Sequence, residues 1–146
     1  MADADVDIIG ALVTLLSDDA AVEATGASVH GVELPHERIA DMPVNALVIV
    51  PTGGPQPTQP SKAKLETQRF DLFAYGKSHW AADNLRRVAA SVLSGVDRAV
   101  VTLPTGVKVL VHSVEVAGGF YASRDRDGAW PNSWQSFTTL YSTKEV

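Results

Sequence analysis

The sequence predicts an α+β fold: a mostly antiparallel sheet with two helices packed on one face. Three observations lead there. Two segments carry apolar residues at helical spacing, and several others alternate with a period of two. The order of these segments is helix, strands, loop, strand, helix, strand, strand, which is not the regular alternation of a parallel sheet.

In the first segment Val6, Ile9, Val13 and Leu16 recur at spacings of three and four, with Ile8 and Leu12 widening the stripe. Asp3 or Asp5 is the expected N-cap, where a carboxylate accepts backbone N–H bonds and faces the positive end of the helix dipole. Ser17-Asp18-Asp19 ends the helix. Val29–Leu34 reads as a short strand closed by Pro35. The β-branched run Asn45–Val50 reads as a strand buried on both faces.

Pro51–Ser61 holds four prolines and two glycines, and it reads as a long loop. From 64 to 75 the chain alternates, with Phe70, Leu72 and Ala74 on one side and Arg69, Asp71, Phe73 and Tyr75 on the other. Gly76 ends this strand. Ser78 caps a second helix whose stripe is Ala81, Leu85, Val88 and Val92, flanked by Ala89 and Leu93. Gly95 suits a left-handed C-terminal cap.

Val107–Val116 is a further strand, with Val107, Val109, Val111, Ser113 and Glu115 on one face and Lys108, Leu110, His112, Val114 and Val116 on the other. Gly118-Gly119 breaks it, and Phe120-Tyr121 extends it after a kink or bulge. Arg124–Gly128 is a turn, and Ser133–Ser142 returns as the last strand of an antiparallel hairpin.

The chain has 146 residues, which suits a single domain over 1–146 able to bury about 70% of its unfolded surface. Lys and Arg number 12 against 17 acids, for a net charge of −5. Gripping nucleic acid needs a basic face, so this balance argues against it. No cysteine is present, which removes disulfides, thiolate chemistry and cysteine-bound zinc. The acidic start lacks the basic-then-apolar pattern of a secretory signal, and no apolar run approaches the roughly 20 residues of a bilayer span. The expectation is an aqueous, cytoplasm-like compartment and no membrane partner.

The search for chemistry yields no catalytic residue, no cofactor and no metal ligand set. His30, His36, His79 and His112 form no helical ligand pair, although His36-Glu37 and His79 could meet in space. Asp125-Arg126-Asp127-Gly128 resembles a calcium-loop fragment, but Trp130 and Pro131 follow where further oxygen ligands belong. Thr52-Gly53-Gly54-Pro55 has no Gly-Lys-Ser/Thr after it, and no G-x-S-x-G elbow occurs. A ligand-binding or enzymatic alternative would gather Arg69, Asp71, His112 and Glu115 in a cleft. Trp80 reads as a core or staple residue. Trp130, beside a polar turn, reads either as core or as an interface anchor.

Two long segments without periodicity remain, and they are the candidate docking sites. Gly53, Gly54, Gln56 and Gln59 mark the first. Tyr121, Arg124, Asp125, Arg126, Asp127 and Trp130 mark the second.

The stretch Arg69-Phe70-Asp71-Leu72-Phe73-Ala74-Tyr75-Gly76-Lys77-Ser78, an R-x-x-L-x-x-Y-G-x-S strand running into a helix, resembles the tail-terminator (tail-completion) proteins of long-tailed bacteriophages, the lambda minor tail protein U type. The shared element order covers Asp5 to Ser142. The resemblance implies a virion protein that assembles with itself into a six-membered ring at the head-proximal end of the tail, after folding in the bacterial cytoplasm. It implies tail tube protein and head–tail connector protein as partners, with DNA passing through the lumen unheld. A negative chain fits a lumen that repels phosphate. A connector adaptor or stopper of the same junction would share the size, acidity and lack of chemistry.

Overall fold

The computed structural model describes residues 6–35, 39–54, 56–57, 64–124 and 130–143, with backbone alone at 56–57 and 119–124. In chain order the elements are α1 (Ile8–Ser17), α2 (Ala20–Glu23), β1 (Ser28–Gly31), β2 (Ala46–Pro51), β3 (Gln56–Pro57), β4 (Leu65–Tyr75), α3 (His79–Ser94), β5 (Asp97–Thr102), β6 (Lys108–Arg124) and β7 (Pro131–Ser142). The strands form one sheet in the order β1-β2-β4-β7-β6-β5, with β3 added alongside β4. Only the β1–β2 pairing is parallel, so the sheet is mostly antiparallel.

The core follows from the period of two in β4. Phe70, Leu72 and Ala74 are fully buried, and the antiparallel register sets Phe70 opposite Phe137 with ring centroids 5.5 Å apart. Leu47 and Ile49 of β2, Val109 and Val111 of β6 and Tyr141 of β7 join them. From the helices come Ile8, Leu12 and Leu16 of α1 and Leu85, Ala89 and Leu93 of α3, all in the same cluster. Helix α1 touches β1 and β2 at one end of the sheet and β5 at the other. Those edges would lie about 24 Å apart in a flat six-strand sheet, so the sheet curls.

Several boundaries differ from the sequence reading. The N-cap of α1 is Asp7, whose Oδ1 accepts from the Gly10 N–H at 2.8 Å; Asp3 and Asp5 lie outside the described residues. A short helix, α2, follows at once, capped by Asp19. Ser78 caps α3 as expected, accepting from the Ala81 N–H at 3.2 Å. Gly95, in contrast, has φ −84° and ψ −2°, a right-handed cap that needs no glycine. The buried stripe of α3 is Ala82, Leu85, Arg86, Ala89 and Leu93, rotated from the expected one because Ala81, Val88 and Val92 sit at its margin.

Strand β5 was not foreseen; its Asp97 and Arg98 break the apolar pattern, and pairing with β6 creates it. In β6 the alternation also shifts. Val111 pairs with Tyr141 and Ser113 with Leu140, so His112 is one extra residue, a β-bulge. The core face passes from Val109 and Val111 before the bulge to Val114 after it, where strict alternation put Val114 on the opposite face. Gly118-Gly119 does not end the strand. Between Val116–Phe137 and Phe120–Gln135 β6 carries two extra residues, an even number that keeps the faces in phase.

Candidate functional site

The two candidate docking segments lie at opposite ends of β4. After β2 the chain passes through Gly53, at φ 76° in the left-handed region, and Gly54. The Gly53 carbonyl accepts from Gln68 Nε2 at 3.0 Å, which ties this segment to β4. Gln56 then pairs with Thr67 in β3, where the sequence reading had an uninterrupted loop. Gln59 lies outside the described residues. The other segment is the end of the β6–β7 hairpin. Tyr121 pairs with Trp134 and Arg124 with Pro131, while Asp125, Arg126 and Asp127 lie outside the described residues. Tyr75, at the far end of β4, pairs with Asn132 of that hairpin. Eight residues separate Thr67 from Tyr75, so about 27 Å of strand divides the two segments.

Beside the hairpin lies an apolar patch on the sheet face turned away from the core. Trp130 is half-buried and meets Tyr75 edge-on, with centroids 6.0 Å apart. Phe73 stacks on Trp134 at 6.0 Å, as their register opposite one another requires. Phe73, Tyr75 and Trp130 with Val48, Val50, Val32, Leu34 and Ile39 wall a concavity of about 290 Å³, with Glu33 its one charged group. Val32 and Ile39 are exposed. An apolar hollow with rigid aromatics at its rim suits a partner's side chain. The sequence marked Trp130 here but not Phe73 or Trp134, whose facing positions depend on register.

The reverse face of the same strands holds a buried polar network. Arg86 of α3, 5% exposed, donates through Nη1 to Gln135 Oε1 at 2.7 Å and through Nε to Ser133 Oγ and Asp83 Oδ1, each at 3.1 Å. Ser133 donates to Asp83 in turn, and Arg87 pairs with the second carboxylate oxygen of Asp83 at 2.9 Å. Burial pushes the Asp83 carboxyl up, but hydrogen bonds from Arg86 and Ser133 and the charges of Arg86 and Arg87 outweigh it and hold the group below its ordinary range. The network fixes α3 onto β7. The available sequence signal was Arg86 falling between Leu85 and Ala89 on the apolar stripe, with Asp83 one turn before it.

Gly76 explains the strand-to-helix motif. A Cβ there would stand 2.7 Å from the Ala82 backbone nitrogen and 2.9 Å from the Ala81 Cβ, so only glycine lets α3 start so tightly against β4. Trp80, two positions after the cap, is 86% exposed and belongs to no core, contrary to the staple reading.

The residues of the enzymatic alternative fall on the open sheet face. Arg69 and Glu115 both sit opposite Thr138, and Asp71 accepts from the Ser136 hydroxyl. His112 occupies the bulge. His36 and Glu37 lie outside the described residues; His30 contacts Ser28 Oγ through Nε2 at 2.8 Å. Among the described residues no three His, Asp or Glu side chains converge as a metal site, and no helix is long and apolar enough to cross a membrane.

No family model matches this chain, and no curated protein does. Among solved structures, its fold is similar to that of a chain in the virion of a native gene transfer agent particle. The likeness has a TM-score of 0.63 and 12% identity, and covers 92% of each chain. At that identity it establishes a shared fold.

Proposed function

We propose that this chain is a structural virion protein that acts by assembly and not by catalysis. In this reading it forms a six-membered ring on the head-proximal end of a phage-type tail, ends polymerisation of the tail tube and offers a surface to the head connector. The observation that carries the proposal is the fold likeness, over nine-tenths of both chains, to a chain of a virion. The resemblance of Arg69–Ser78 to tail terminators points the same way from independent ground.

The placement of the two segments supplies a mechanism. A tail terminator needs two separate contacts, one with the tube below and one with the connector above. Segments about 27 Å apart at opposite ends of β4 can serve both at once. A heterologous contact between protomers whose rotation closes gives a ring and not a filament. The net charge of −5 keeps DNA in the lumen unheld.

Electron microscopy of the purified protein with and without tail tubes tests this. Six-membered rings seated on tube ends are expected; twelve-membered rings that bind portal, or no binding to tubes, would overturn it. Deletion of residues 53–60 removes only β3 from the sheet, so folding is expected to persist while tail completion fails. Normal virion yield from the deletion would remove this segment from the docking role.

A further inference from the structure

We infer that Trp80 of one copy seats in an apolar groove on a second copy, between the first turns of α1 and the β5–β6 connection. The inference rests on the ring reading and names the contact that builds the ring. An indole at 86% exposure leaves nearly all of its apolar surface in water, on a well-capped helix start that holds it rigidly outward. Tryptophan so placed is characteristic of an interface anchor.

The receiving groove has a volume of about 440 Å³, ample for an indole. Val6, Gly10 and Val13 form one wall, and Leu103, Pro104 and Val107 the other. Asp7 stands at its rim.

Charge selects a second copy as the occupant. Asp7 lines the groove, Asp3 and Asp5 precede it in the sequence, and residues 1–23 contain no lysine or arginine. Around Trp80, Arg86 is buried against Asp83, and Lys77 and Arg87 are the exposed cations. The Arg87 side chain is 69% exposed. One chain thus carries a basic aromatic knob and an acidic apolar hole.

The two lie at opposite ends of the sheet. Trp80 follows the end of β4 at Tyr75, and the groove adjoins the start of β6, whose Val111 pairs with Tyr141, itself opposite Glu66 at the start of β4. Knob and hole at opposite ends pair either in an antiparallel two-fold dimer, where each copy's knob enters the other's hole, or head to tail. The ring reading selects head to tail, which leaves one knob and one hole open for the next copy.

The full chain tests this by sedimentation and native mass spectrometry. Trp80→Ala is expected to weaken self-association at least about 30-fold, and Thr105→Arg, at the groove rim, to weaken it as well. Because the chain has no cysteine, mixing His79→Cys with Thr105→Cys protein is expected to give mainly the mixed disulfide. Rings that persist in Trp80→Ala, or 79–79 and 105–105 cross-links as abundant as the mixed one, would overturn the inference and leave the ring reading standing. A wild-type chain that stays monomeric even on tail tubes would overturn both.

Discussion

Strands β4 and β7 present two faces that differ in use although both are rich in aromatic residues. Toward the helices, Phe70, Leu72, Ala74, Phe137 and Tyr141 are at most 2% exposed. On the other face Phe73 stacks on Trp134 across the strands, Tyr75 meets Trp130 edge-on, and all four remain half-exposed. The alternation of β4 already separates Phe70 from Phe73, which shares its face with Arg69 and Asp71; the helices cover the face of Phe70. A covered face contributes to stability, whereas an exposed apolar face of this kind is a surface that partner proteins use.

Substitutions at matched positions break or sharpen this contrast. The largest effect is expected from Phe70→Ala, a loss of about 3–5 kcal/mol in urea unfolding, because a stacked and fully buried ring leaves a cavity. Phe73→Ala, three residues on, is expected to cost only about 1 kcal/mol while reducing assembly onto tubes; equal losses at the two sites would show that both faces are core.

Arg86→Ala is expected to cost about 3 kcal/mol, since it leaves Gln135 Oε1 without its donor beneath α3, empties a buried site and removes one of the partners of Asp83, which keeps Arg87 and Ser133. Chemical denaturation of Arg86→Met alongside it separates loss of charge from loss of packing. A cost under about 1 kcal/mol for both would mean the network does not hold the helix.

The smallest effect is one of pH. The Asp83 carboxyl is held below its ordinary value in the folded state, so its contribution is fully present above the unfolded pKa of about 3.9. That contribution is lost as pH falls through the lower folded value. Unfolding curves of wild type and Asp83→Asn are therefore expected to run apart at pH 5–7 and to converge only below about pH 4. A gap that closes nearer neutrality would assign it to another group.

Much of this molecule was legible from local pattern. The period of two placed β4 and β7, a continuous β-branched run placed β2, and the period of 3.6 placed α1 and α3, because side-chain direction within an element depends only on its own backbone. Ser78 and Gly76 were readable for the same reason, as a cap and a strand end. The docking segments were recognisable as stretches without periodicity, but their separation along β4 was not. The apolar concavity escaped notice because its walls come from β2, β4 and the residues flanking β1 and β7.

What the sequence by itself determined is a mixed helix-and-strand fold with a mostly antiparallel sheet, the central elements and the inward set Phe70, Leu72 and Ala74. Only the tertiary structure decided that β5 exists, that His112 bulges and moves the core from Val111 to Val114, that Arg86 is buried and that Trp80 stands in water. The reason is physical: each of these depends on a partner far along the chain, and pairing register and burial are set by that partner rather than by neighbours in sequence.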